Sequence, residues 1–272
     1  MKLGSPTKEP ILTISIMHHW ELLVFFLVIA FIYASVGFGG GSSYLAILAL
    51  YALPFKELRL IALLCNIIVV TGGVLIYARN DQINWKKITP LVLLSVPLAY
   101  LGAIVRISEN TFFVILGCSL LIAAVLLWIK TKPEEIDSIT ASDNHTYVKD
   151  GALGGSIGFL AGMVGIGGGI FLSPILNLMK WDRPKKIAAT ASVFILVNSI
   201  SGIAGQLTHL PANIDYTRIA LLCLAVLIGG QTGSRLAIKF NPLVIRRMTA
   251  ALVFCAGTEV LLKHLPHFFA HL

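Results

Sequence analysis

The chain has 272 residues, of which 57% are hydrophobic and only 12% charged, with a net charge of +8 and a mean hydropathy of +0.86. These values exclude a soluble globular domain and place the chain among polytopic membrane proteins. The positive charge does not point to nucleic acid, because the basic residues fall in short clusters at the ends of apolar runs, where the positive-inside rule puts them.

Residues 1–20 form an N-terminal segment with Lys2, Lys8 and the pair His18 and His19, and they lack the cleavage pattern of a signal peptide. The first apolar run, Glu21 to Val36, has 16 residues, roughly 24 Å of helix at ~1.5 Å per residue. The sequence Gly37-Phe38-Gly39-Gly40-Gly41 interrupts it, and a second run of 12 residues follows, Ser42 to Leu53. Neither run reaches the ~20 residues of a full crossing, and the whole stretch is too long for one. The reading is a glycine-broken hairpin, either re-entrant or made of two tilted crossings.

Three runs of spanning length come next, Leu60 to Ala78, Ile88 to Val105 and Thr111 to Ile129. Trp85 and Trp128 stand at segment ends, as interfacial anchors do. Residues 21–129 make the first membrane repeat, and the polar stretch 130–150 is a linker. The order then recurs over residues 151–264, the second membrane repeat: a short run from Gly151 to Val164, the glycines Gly165-Ile166-Gly167-Gly168-Gly169, a short run from Ile170 to Met179, and a charged corner from Lys180 to Lys186. Ile187 to Leu207, Ile219 to Ile238 and Met248 to Leu262 complete it, and residues 265–272 are a tail. A shift of 128 residues superposes the glycine motifs with four of five positions identical, and a shift of 131 superposes Gly102 on Gly233 and Trp85 on Tyr216. An internal duplication explains both.

The fold class expected is an all-α polytopic membrane protein of two homologous halves, each a glycine-broken hairpin plus three spanning helices, arranged as inverted repeats. The basic residues argue for the inversion. With Arg235 left out as intramembrane, the Lys and Arg divide ten to ten if each broken region crosses once; if each turns back, thirteen collect on one face against seven on the other, Lys56 and Arg59 among the seven. The rule then puts the linker in the cytoplasm and the N-terminus outside.

The candidate site follows from the breaks. Glycine runs bare the backbone, and the helix N-termini that follow carry about half a positive charge and unpaired donors, which suits an anion. This nominates Gly39, Gly40, Gly41, Ser42 and Ser43 in the first half and Gly167, Gly168, Gly169, Ile170 and Phe171 in the second. The competing use of such glycines is close helix packing. Polar residues inside the long runs add Asn66, Thr71, Asn198, Ser199, Ser201, Gln231 and Thr232, with Asn66 and Asn198 at roughly corresponding positions. Arg235, about one turn inside its helix end, is a bidentate anion ligand or a snorkelling side chain. Glu259 is the one carboxylate well inside an expected span and so the candidate for proton coupling, although Lys263 at i+4 favours an interfacial ion pair. No metal or cofactor motif is present, and Cys65, Cys118, Cys223 and Cys255 read as small buried hydrophobes without disulfide spacing. Nothing supports an enzyme.

Three stretches carry a resemblance: SVGFGGGSS (Ser35 to Ser43), GFLAGMVGIGGGIFLSP (Gly158 to Pro174) and GGQTGSRLA (Gly229 to Ala237). Set in a duplicated chain of this length, they resemble the TauE/SafE sulfite exporter family, also called TSUP, from about residue 21 to 264. The first half departs from the second in having Ala46 where Pro174 stands. The resemblance implies a bacterial inner-membrane permease that exports a small sulfur-containing anion such as sulfite, a sulfonate or sulfoacetate. An anion channel, and a polytopic membrane enzyme or accessory subunit, are the other readings.

Overall fold

The computed structural model describes residues 20–35, 37–51, 53–129, 147–209, 214–236 and 242–269. The N-terminal segment before Trp20, most of the linker and the end of the tail lie outside the described residues. Ten α-helices are described: α1 (Trp20–Ala34), α2 (Gly41–Leu50), α3 (Phe55–Arg79), α4 (Trp85–Ile104), α5 (Glu109–Trp128), α6 (Tyr147–Val164), α7 (Gly169–Leu178), α8 (Pro184–Gln206), α9 (Tyr216–Leu236) and α10 (Pro242–Phe269). A 3-10 turn, Leu207–His209, follows α8. Five of them, α3, α4, α5, α8 and α9, are long and apolar enough to cross a membrane. Large apolar side chains such as Leu93, Ile122, Leu224 and Leu262 are exposed on the outside of the bundle. In water that surface would be costly; in lipid it is the ordinary exterior.

Several boundaries differ from the expected ones. Helix α3 starts at Phe55, so Lys56, Glu57 and Arg59 lie within it rather than before it. The N–H groups of Glu57 and Leu58 bond to the Pro54 carbonyl, which begins the helix despite the charges. Helix α6 starts at Tyr147, inside the polar stretch assigned to the linker. Asn84 and Ser108 cap α4 and α5 by accepting from Lys87 N–H and Thr111 N–H. Cys118 and Cys255 are exposed, against the expectation that all four cysteines are buried.

Glycines set the closest helix contacts. Gly154, Gly158 and Gly162 form a stripe along α6 that faces the backbone of Leu91, Ser95 and Ala99 in α4, so near that any side-chain carbon there would overlap a carbonyl. Gly229 and Gly233 of α9 meet Leu27 and Phe31 of α1 in the same way. The contact of Gly102 with Phe159 repeats as Gly233 with Phe31, matching the 131- and 128-residue shifts of the sequence.

The register of these contacts fixes helix directions. Leu91, Ser95 and Ala99 meet Gly154, Gly158 and Gly162 in ascending order, so α4 and α6 are parallel, as are α1 and α9. Val69 against Gly230 and Gly72 against Gln231 align α3 with α9. The bond from Ser201 Oγ to Val96 O, with Ala103 against Gly205, aligns α8 with α4. In contrast, Leu63 meets Gly202 and Gly73 meets Ser192, so the central pair α3 and α8 is antiparallel. Gly117 against Leu261 and Leu120 against Gly257 make α5 and α10 antiparallel too. Because α1 and α3 point the same way, α2 and the turn after it carry the chain back between them. The first glycine break is therefore a hairpin and not a bent single crossing.

The antiparallel register makes a direct prediction. A cysteine pair at Gly73 and Ser192, where a carbon at 73 would lie 3.8 Å from Ser192 Oγ, should cross-link under mild oxidation in a background without the four native cysteines. No cross-link at that pair would refute the register.

Candidate functional site

Each glycine run ends in a residue that only glycine tolerates easily. Gly40 at φ 85° and Gly168 at φ 82° are left-handed and stand directly before α2 and α7. A helix begins at once after each, and the first turns of both helices are buried. Space is short around them: a side-chain carbon at Gly40 would lie 2.8 Å from the Tyr44 ring, and one at Gly168 2.9 Å from Phe194 and 3.0 Å from Ala161.

The two elbows meet on one side chain. Asn66, fully buried near the middle of α3, accepts from the Gly41 N–H at 2.8 Å through Oδ1 and donates to the Ile166 carbonyl at 3.2 Å through Nδ2. It caps the first turn of α2 from a distant helix while binding the backbone of the other elbow. Gly39 and Gly41 have no room for a side chain because Asn66 fills it, and Gly167 lies beside both Asn66 Nδ2 and Ser199 Oγ. Helix α8 reaches the first elbow in turn, through Ser192 Oγ to Gly37 O at 2.9 Å.

The first-turn donors are only partly free. Ser43 N–H and Phe171 N–H bond to Gly40 O and Gly168 O, at 3.0 and 3.1 Å. Gly41 N–H is taken by Asn66. Among the described residues, the N–H groups of Ser42, Gly169 and Ile170 have no such partner. Near the first elbow, Tyr33 Oη lies 2.6 Å from Ser43 Oγ and 3.5 Å from Ser42 Oγ, all three groups buried. Tyr44 stacks on Phe26 at 4.6 Å and leaves its own hydroxyl buried and unpartnered.

The structure gathers Gly39 to Ser43, Asn66 and Gly167 to Ile170, and the other sequence candidates make contacts of their own. Thr71 donates back to Ile67 O within its own helix, and Gln231 packs on Gly72, next to the Gly73 that lies by Ser192, which bonds Gly37 O. Arg235 is exposed in the last turn of α9. Glu259 is exposed on α10, and no ion pair with Lys263 occurs among the described residues. Asn198 is buried, with Nδ2 on Phe194 O and Oδ1 unpartnered, but it is not the counterpart of Asn66. Ile195 holds that place, packed on Gly169 as Asn66 is on Gly41. The polar bridge is thus one-sided.

Sequence reading missed Tyr33, Tyr44 and Arg59. The tyrosines sit in apolar runs where an aromatic ring reads as core, and only their closeness to the first glycine run marks them. Arg59 was placed with the surface cations, yet it is 5% exposed, donates from Nη2 to Gly162 O at 2.9 Å and lies against Gly165.

The model of the sulfite exporter TauE/SafE family matches residues 22–260. The chain belongs to the TauE/SafE family. Relatives of this TauE/SafE chain are themselves named transporters. A "Probable membrane transporter protein y4hK" of Sinorhizobium fredii is 28% identical over 244 residues, covering 88% of this chain and 97% of the relative. A "Probable membrane transporter protein YunE" of Bacillus subtilis is 25% identical, covering 70% and 76%, and one from Methanocaldococcus jannaschii is 28% identical, covering 68% and 72%. No solved structure matches. A TauE/SafE chain is a multi-pass membrane transporter by these likenesses, and its five span-length helices agree.

Removing the bridge tests the site's construction. Asn66→Ala strips the partner from a buried N–H and a buried carbonyl, each worth about 1–3 kcal/mol when left unsatisfied. The expected result is a lower midpoint of thermal unfolding in detergent; an unchanged midpoint would show that the elbows do not depend on Asn66.

Proposed function

We propose that the chain is a secondary transporter of a small sulfur-containing oxyanion, such as sulfite or a sulfonate, that moves it outward across a bacterial inner membrane. The observation that carries the reading is the pair of buried helix N-termini around Asn66, with the Ser42, Gly169 and Ile170 N–H groups unclaimed among the described residues. Such donors suit a compact oxyanion, which needs several N–H or O–H partners and no adjacent carboxylate. The described acidic residues fit that need: Glu21, Glu57, Glu109 and Asp150 stand in first helical turns, Asp81, Asp182 and Asp215 lie in the connections between helices, and Glu259 is exposed on α10. The family's name, sulfite exporter, supports the sulfur chemistry and the direction.

The helix directions support two inverted repeats about an axis in the membrane plane, so that the hairpins enter from opposite faces and overlap near the midplane. Ion pairs join the halves at both ends. Arg218 at the start of α9 lies 3.1 Å from Glu57, and Lys87 at the start of α4 lies 3.5 Å from Asp182; residues 87 and 218 correspond by the 131-residue shift. Alternating access then amounts to rocking of one half on the other, with one pair opening at a time. A membrane potential negative inside favours anion exit by ~2.3 kcal/mol per charge per 100 mV, so export needs no coupled proton.

Purified protein in liposomes should give saturable flux of radiolabelled sulfite or a simple sulfonate, absent from empty vesicles. Gly40→Leu, which forces a side chain into the left-handed position and onto Tyr44, should abolish it while the protein still inserts. Unsaturable, channel-like conductance would contradict the carrier reading, and full flux in Gly40→Leu would remove the elbow from it.

A further inference from the structure

Arg59 is the only Lys or Arg that is buried among the described residues. The partly exposed Lys87 and Arg218 each lie beside a carboxylate, whereas no carboxylate pairs with Arg59. Glu57, two residues earlier on the same helix, is claimed by Arg218 at 3.1 Å. The guanidinium touches Gly162 O through Nη2 and lies with its carbon 5.8 Å from the Phe112 ring centre, and its Nε is buried with no partner. The Gly162 carbonyl belongs to the last turn of α6, so the contact works as a helix C-cap. A cap uses one of five donors and a fraction of the charge. The remainder, inside a membrane bundle, calls for an anion.

The surroundings point the same way. The register that sets Leu63 against Gly202 and Gly73 against Ser192 brings Asn66 level with Ser199 and Arg59 level with Gln206. Ser199 Oγ and Gln206 Nε2 are both buried and unpartnered. Ser199 Oγ is 2.9 Å from where a side-chain carbon of Gly167 would stand, and Gly165 lies 3.2 Å, on the same measure, from the Arg59 stem. A cation and, about two helical turns away, a hydroxyl thus flank the second elbow, and the Gln206 amide lies level with the cation. The first elbow has no equivalent cation, because Gly37 meets Ala188 where Gly165 meets Arg59.

We propose that Arg59, with Gln206, forms a one-sided oxyanion subsite beside the second elbow, and that Arg59 is the counter-charge of the transported anion. The subsite rests on the carrier reading above and gives the near-symmetric centre its polarity, since the anion meets a full positive charge on one side of Asn66 only.

The test measures sulfite flux into liposomes against concentration for the wild type, Arg59→Gln, Arg59→Lys and Gln206→Leu, each checked for insertion and thermal midpoint. Glutamine keeps a donor for Gly162 O, so a role confined to capping leaves KM unchanged. The subsite requires Arg59→Gln to raise KM by about tenfold or more, Arg59→Lys to restore part of the affinity, and Gln206→Leu to raise KM by a smaller factor. If Arg59→Gln does not fold, Arg59→Lys and Gln206→Leu decide by the same measure. Saturable wild-type flux with unaltered KM in the folded variants overturns the subsite alone. No saturable flux in the wild type overturns the carrier reading and the subsite with it.

Discussion

The carboxamide of Asn66 holds the backbone of both glycine elbows, one through its oxygen and the other through its nitrogen. An irregular backbone at membrane depth has to bond something other than lipid, and a broken helix frees N–H and C=O groups that hydrocarbon does not satisfy. Asn66 supplies one acceptor and one donor at the point where the two breaks meet. The rest of the architecture serves that meeting: the hairpins bring the breaks inward, the antiparallel α3 and α8 pass between them, and the glycine stripes of α6 and α9 let the hairpins pack at backbone distance on α4 and α1.

Duplication gives two similar frames, and the chemistry inside them differs. Ile195 stands in the second repeat where Asn66 stands in the first, Ala188 stands where Arg59 does, and the hydroxyls of Tyr33 and Tyr44 have Ala161 and Leu172 in the places given by the 128-residue shift. A symmetric cradle would present the same face to a solute on both sides of the membrane. Concentrating the amide and the cation on α3 makes the two approaches to the centre unequal, which is the physical requirement for binding the solute differently from the two faces.

The fold was legible because its signals are local. Three consecutive glycines inside an apolar run announce a break, run lengths separate partial from full crossings, and the two shifts of the duplication recur as the paired contacts of Gly102 with Phe159 and Gly233 with Phe31. The site was legible only in part. Asn66 stood out as an amide in an apolar run, but its grip on both elbows depends on the register of helices far apart in sequence. Asn198 looked equivalent because the sequence offset places it near Asn66, and the contacts give that place to Ile195. Arg59 was hidden by its neighbours: Lys56 and Glu57 made the start of α3 look like a polar loop, whereas Pro54 starts the helix ahead of them. The bonds of Ser43 and Phe171 N–H were not legible either, because a helix start seen in sequence does not reveal which of its N–H groups the left-handed glycine before it already satisfies.

The central claim is that an oxyanion binds where the two elbows meet. Crystals grown with selenite, a heavier analogue of sulfite, test it through the anomalous signal of selenium. The account predicts a peak between Asn66 and the first turns of α2 and α7, within hydrogen-bonding reach of the Ser42, Gly169 or Ile170 N–H groups. A well-occupied peak remote from both elbows would contradict it.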